Sequence, residues 1–271
     1  MTNKLQGNDD TPKPPLSREA LRDVNDLALW AGQMLLQNGA ETARIEETVH
    51  RIGTALGCDW LDILVSPNGL LVTTNSGGEF RTRLRRVVHI GVDMAVLDEI
   101  STLSHRIDRA QLTRFEVRAE LERIEGMKRN YNRWLVAFTV GLACAAFCQL
   151  AGGDTAATII TLIASGVAMI VRQELTRHQF NLILTVGGTA FVAGLIASIA
   201  SVFPVSETPT AALASAVLLL VPGVPLINAA EDLIKGHMVT GIVRGVTGVL
   251  ISLGIALGLL LAMRLMGVSG L

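Results

Sequence analysis

The sequence predicts a multi-pass α-helical membrane protein, with five transmembrane helices behind an N-terminal cytoplasmic α+β domain. Three observations predict it. Charge is segregated: residues 1–133 hold 18 Lys and Arg and 19 Asp and Glu, whereas residues 134–271 hold 5 and 5. The charge-poor part is built of long apolar runs. The Lys and Arg between those runs alternate so that one orientation satisfies all the connections. The formal net charge of the whole chain is -1, and neither half has the basic excess of a nucleic-acid binder.

The opening segment, MTNKLQGNDDTPKPPLSREA, has no apolar core, so it does not read as a secretory signal. Residues 1–15 read as a disordered tail, and residues 16–129 as the cytoplasmic domain. Leu16–Asn38 and Glu41–Leu56 carry apolar residues at helical spacing, interrupted at Asn38-Gly39 and at Gly57. Trp60–Ser66, Leu70–Asn75 and Phe80–Val88 read as strands, with SPNG and SGG as the turns. Asp93–His105 and Arg109–Met127 read as helices. The order ααβββαα suits an α+β layer.

Candidates for chemistry in this domain are weak. Glu46 and His50 stand four apart and share a helix face, as metal ligands do, but one such pair is not a site. Solvated helix charge is the expected role. Arg81, Arg83 and Arg85 alternate along a strand and so share a face, suited to an anionic partner or lipid headgroups; such a row is more often a solvated sheet face. No phosphate loop, nucleophile elbow or paired-carboxylate signature is found. Three cysteines make no disulfide framework. Cys144 and Cys148 lie four apart in an apolar run, where small apolar packing is the expected role. No metal or cofactor is expected.

Residues 130–271 form the membrane domain. The spans are Trp134–Ala151, Thr155–Val171, Phe180–Phe203, Thr210–Ala230 and Val239–Met263. Lys128, Arg129 and Arg133 precede the first. The connections that follow carry no cation in GGD, Arg172 and Arg177 in RQELTRHQ, none in PVSETP, and Lys235 in EDLIKGH. This places the N-terminus in the cytoplasm, with Arg264 the one dissenting charge. Ala190, Gly194 and Ser198 repeat every four residues, as do Gly241 with Gly245 and Gly254 with Gly258. Small residues at that spacing admit close helix contact, within the chain or with another copy in a homo-oligomer.

The fourth span contains LLLVPGVPLINAAEDLIKGH. Pro222 lacks the N–H that would bond the Leu218 carbonyl, and Pro225 does the same to Val221. Gly223 lets the chain turn between them. Pro222 lies 12 residues, or about 18 Å, past Thr210, which is beyond the membrane midplane. Pro225 suits the first turn of a new half-helix over Leu226–Gly236. The N-terminus of such a half-helix attracts carboxylates, and discontinuous helices of this type build transporter sites. Asn228, Asp232 and Lys235 share one face of it, with Glu231 a quarter turn away. Arg244, entering the next span, is placed to serve Asp232 as counter-ion. Ionisable residues at membrane depth are usually functional. The plain alternative sets Glu231, Asp232 and Lys235 in a watery loop.

NGAETARIEETVHRIGTALG, SPNGLLVTT and RTRLRRV resemble the cytoplasmic domain of the threonine/serine exporter family. NRWLVAFTVGLACAAFCQLAGGD and LLLVPGVPLINAAEDLIKGH resemble its membrane half, most closely the short, split YjjP-like type. The resemblance covers residues 16–265. It implies export of small carboxylate metabolites, namely threonine and serine or a dicarboxylate such as succinate. It also implies coupling to the proton gradient, a second smaller membrane subunit, and a bacterial inner-membrane location. Pro222, Gly223, Pro225, Asn228 and Asp232 carry over from the membrane motif, with Glu231 beside them. Asn38, Gly39, Glu41 and Arg44 belong to the cytoplasmic-domain motif. The runner-up function is a membrane-anchored enzyme working through Glu46 and His50.

Overall fold

The computed structural model of the chain describes residues 14–88, 91–109, 112–127, 131–203 and 205–268. Residues 1–13 of the expected tail at 1–15 lie outside the described residues, as do Ala110, Gln111, Lys128 and Arg129. Two compact units emerge: residues 1–128 with 227–244, and residues 129–226 with 245–271.

The first unit begins with α1 (Arg18–Gln37) and α2 (Thr42–Ala55). Strands β1 (Trp60–Ser66), β2 (Gly69–Ser76) and β3 (Glu79–Arg86) then form an antiparallel sheet in the order β1-β2-β3. Helices α3 (Met94–Asp108) and α4 (Arg114–Glu125) follow. One continuous core joins them, including Leu35, Ile45, Ile52, Leu70, Ile100 and Leu121. Buried Asn25 ties α1 to the sheet, its Nδ2 donating to Val72 O at 3.3 Å, Thr74 Oγ1 at 3.1 Å and Arg81 O at 2.9 Å. The arginine row of β3 stays largely solvated, with Arg81 and Arg83 exposed and Arg85 half-buried, while Arg83 pairs with Asp26 of α1 and Arg85 Nη1 donates to Gln33 Oε1 at 2.9 Å. The solvated-face expectation fits Arg81 and Arg83, and α1 adds polar partners for Arg83 and Arg85. Helix α4 starts at Arg114, later than the expected Arg109, because Thr113 and Glu116 form a reciprocal capping box.

The second unit holds most of the apolar helices. These are α5 (Arg133–Leu150), α6 (Thr155–Arg177), α7 (Leu182–Ala197), the short α8 (Ile199–Val202) and α9 (Pro209–Ala216). A 3-10 turn at Leu218–Leu220 leads into α10 (Gly223–Ile234), and α11 (Met238–Leu265) ends the fold. Four stretches are long and apolar enough to cross a membrane: α5, α6, α7 with α8, and α11. The pair Pro209–Leu220 and Gly223–Ile234, bent by 65°, makes a fifth if it is one broken span.

Helix α6 outruns its apolar stretch and stops at His178, just before Gln179 turns to φ 56°. Nothing in RQELTR breaks a helix, so the helix carries Arg172 inside it rather than in a loop. Its start is fastened by Asp154. That carboxylate accepts from Ala157 N at 2.7 Å, Glu207 N at 2.7 Å and Ser206 Oγ at 2.9 Å, joining two connections. The small-residue repeats mark contacts within the chain. A Cβ on Gly258 would stand 2.3 Å from Gly187 O, and one on Gly194 would stand 2.8 Å from the Ala262 Cβ. Helices α7 and α11 therefore pack almost backbone to backbone.

Candidate functional site

The break at Pro222 is quieter than the proline chemistry suggests. The Leu218 carbonyl accepts from Val221 N at 3.2 Å, and the Val221 carbonyl accepts from Gly223 N at 2.9 Å. The expectation of two freed carbonyls there is corrected: the chain tightens into 3-10 and shorter turns, which supply local donors. The half-helix starts at Gly223 rather than Leu226, so Pro225 is its third residue, still within the turn whose N–H groups need no partner.

Beyond the break, the face bearing Asn228, Asp232 and Lys235 meets the loop between α1 and α2. That loop exists because α1 ends at Asn38 and the chain reverses through Gly39 at φ 87°. A Cβ there would stand 3.0 Å from Gly91 O, a tight approach that adds to the strain any side chain meets at this φ. The loop then offers Gly39 O and Ala40 O as acceptors and the first N–H of α2 as a donor. Asn228 Nδ2 donates to Gly39 O at 2.7 Å. Arg244 Nη2 donates to Ala40 O at 2.8 Å. Thr42 N donates to Asp232 Oδ1 at 2.9 Å. Helix α2 has no side-chain cap of its own, since Glu41 makes no such bond. Asp232 supplies the missing acceptor from 190 residues away, and its charge suits the positive end of the helix.

The Asp232 side chain is 0% exposed and that of Arg244 15% exposed, and Arg244 Nη1 lies 2.8 Å from Asp232 Oδ2. Both carboxylate oxygens therefore have a donor, as a buried charge requires. At the rim, Lys235 Nζ contacts both Glu41 oxygens at 3.0 Å and Glu231 Oε1 at 2.8 Å. Burial pushes the Glu41 carboxyl up, and Glu231 adds to this while Lys235 opposes it. His237 Nδ1 stands 3.6 Å from Glu46 Oε1. Burial is the main cause raising the Glu46 carboxyl, and burial also lowers the His50 imidazole.

Asn38, Gly39, Glu41, Asn228, Glu231, Asp232 and Arg244 thus gather in one place. Arg44 does not: its Nη2 reaches Leu97 O at 3.4 Å, on α3. Sequence reasoning missed Ala40 and Thr42, which act through backbone atoms, and the contact of His237 with Glu46. Among the described residues no group of three or more His, Cys, Asp and Glu is arranged to hold a metal ion.

Four helices long and apolar enough to cross a membrane, beside a proline-bent helix pair with buried paired charges on its far limb, are the features of a multi-pass membrane protein. The chain belongs to the threonine/serine exporter family: residues 26–266 match the family model described as "Putative threonine/serine exporter". A Klebsiella aerogenes protein named "Probable succinate transporter subunit YjjP" is 38% identical over 250 residues, 92% of this chain and 96% of that protein. The Escherichia coli protein of the same name is 37% identical, over 94% of this chain and 99% of that protein. The Corynebacterium glutamicum "Threonine/serine exporter" is 26% identical over 94% of this chain but only 55% of its own length. No solved structure matches. These names indicate a transporter rather than an enzyme.

Proposed function

We propose that the chain is one subunit of a bacterial inner-membrane exporter of small carboxylate metabolites. It crosses the membrane five times with its N-terminal domain in the cytoplasm. It works with a second, smaller multi-pass subunit and is driven by the proton gradient. The relatives' names supply the substrate class, since succinate, threonine and serine all carry a carboxylate.

The observation that carries this reading is the buried Asp232–Arg244 pair on the far limb of the broken span. The pair fastens that limb to the Asn38–Glu41 loop of the same unit, and a buried ion pair on the limb of a broken span is an ordinary feature of a transport pathway. In this reading Asp232 is the proton carrier. Its carboxylate holds Arg244 and Thr42 N, so the same group that would carry the proton also fastens the Asn38–Glu41 loop. Asn228, Glu231 and the break at Pro222, Gly223 and Pro225 belong to the same pathway.

The test is an efflux assay in cells making this chain alone, its small partner alone, or both, with Asp232→Asn as the critical variant. Export is expected only with both subunits, and is expected to be lost in Asp232→Asn at normal membrane abundance. Normal efflux from Asp232→Asn removes the proton-carrier role, and efflux from this chain alone removes the two-subunit reading.

A further inference from the structure

The membrane unit holds a cation that the pathway above leaves unused. Ser165 and Arg172 stand seven residues apart on α6, two turns along one face. Both reach the chain at the break: Ser165 Oγ donates to Ala216 O at 3.4 Å, and Arg172 Nη1 donates to Leu219 O at 3.0 Å. In an unbroken helix Leu219 O would accept from Gly223 N, which instead donates to Val221 O. Arg172 thus takes a carbonyl that the break leaves over.

A carbonyl does not neutralise a guanidinium, and Arg172 has no carboxylate partner among the described residues. The described acids of this unit are Asp154, Glu174 and Glu207. Asp154 is occupied in capping α6, and the Glu207 N–H donates to it. Glu174 contacts Arg133 at 3.1 Å, Arg177 at 3.9 Å and His178 at 3.5 Å. Two residues along a helix from Arg172, it projects to the far side, about 200° around. Arg172 lies five residues, or about 7.5 Å, inside the Arg177 end of the helix. It is half-buried in protein. An unpaired cation at that depth is costly unless something anionic visits it.

We infer that Arg172 is the residue that binds the carboxylate of the transported metabolite. Its guanidinium carries five N–H donors, and Leu219 O holds it while leaving a fork edge able to take a carboxylate with two parallel bonds. The ligand class is a small aliphatic carboxylate, and an isosteric amide is rejected because it brings no charge. The inference rests on the exporter reading and adds to it the group that selects the substrate.

Two measurements test it. Thermal stabilisation of the purified full-length chain is followed with succinate, threonine and the neutral succinamide. The wild type is expected to be stabilised by a carboxylate and not by succinamide; Arg172→Gln is expected to lose that preference and Arg172→Lys to keep part of it. A purely structural role for Arg172 would change the melting temperature without changing the carboxylate-over-amide preference. In cells making both subunits, Arg172→Gln is expected to lower efflux at least tenfold through a raised KM, while Arg177→Gln at the exposed helix end leaves efflux unchanged. Equal export by wild type and Arg172→Gln overturns the inference and leaves the exporter reading standing. Failure of the wild type to export overturns the exporter reading, and the binding measurement still decides for Arg172. Absence of any carboxylate preference in the wild type overturns the inference as well.

Discussion

Truncating Asp232 to alanine is expected to unfasten the Asn38–Glu41 loop and to cost the N-terminal unit several kcal/mol. The carboxylate is fully enclosed and serves two donors, Arg244 Nη1 at 2.8 Å and Thr42 N at 2.9 Å. Removing one partner of a buried ion pair typically costs about 3–5 kcal/mol, because the other charge stays buried. Asparagine keeps an oxygen for Thr42 N and loses the charged contact alone, so Asp232→Asn is expected to cost about 1.5–3 kcal/mol. Replacing both charges, as in Asp232→Leu with Arg244→Met, removes the stranded cation and is expected to recover much of the loss. Thermal unfolding of the full-length chain gives the ranking, and amide exchange at Thr42 locates it. At about 1.4 kcal/mol per factor of ten, the alanine variant should exchange that amide at least a hundredfold faster. A stability within about 0.5 kcal/mol of wild type, or unchanged exchange at Thr42, would refute the reasoning. So would a double variant less stable than Asp232→Ala.

Three other perturbations report on neighbouring features. Gly39→Ala forces a side chain into the left-handed region and against Gly91 O, and should cost about 1–2 kcal/mol in chemical or thermal unfolding. Burial raises the Glu46 carboxyl above its ordinary 4.5, so above both values the folded state carries a charge it disfavours. Glu46→Gln should therefore raise the melting temperature at pH 8, with an advantage that fades as the pH falls toward 4.5; an advantage independent of pH would contradict this. Asp154 is held below its ordinary 3.8 by the N–H groups of Ala157 and then Glu207. Its contribution is present above 3.8 and lost as the pH falls through the depressed value, so the deficit of Asp154→Ala measured at pH 7 should shrink under acid.

The long apolar helices are legible in the sequence because length and composition mark them, whatever they pack against. The shared face of Asn228, Asp232 and Lys235 is legible for a similar reason: the helical period is local. What that face meets is not. Thr42 and Ala40 take part through backbone atoms, and the pairing spans 190 residues, so no periodicity encodes it. The fate of the Leu218 and Val221 carbonyls was equally out of reach, since a chain just ahead of a proline can find donors in tighter turns. Arg172 counts in the sequence only as a positive charge in a connection. Its weight comes from α6 continuing past the apolar run and from Leu219 lying opposite, both facts of three-dimensional packing.

Arg172 and Arg244 make the contrast that separates the two roles. Each donates to a backbone carbonyl near a helix end, Leu219 O at 3.0 Å and Ala40 O at 2.8 Å. Arg244 also has Asp232, so its charge is spent within the fold. Arg172 has no acid among the described residues, so its charge is left for something outside the chain. Loss of Arg244 strands a buried carboxylate, and should destabilise the protein by about 3–5 kcal/mol. Loss of Arg172 removes one hydrogen bond from a charged donor, worth at most about 1.5–3 kcal/mol, and relieves an unpaired cation in exchange. Arg244→Gln should therefore lower the melting temperature far more than Arg172→Gln, while only the latter should abolish the preference for a carboxylate over its amide. If the two variants melted alike and both kept that preference, the division between a paired structural arginine and an unpaired ligand arginine would be wrong.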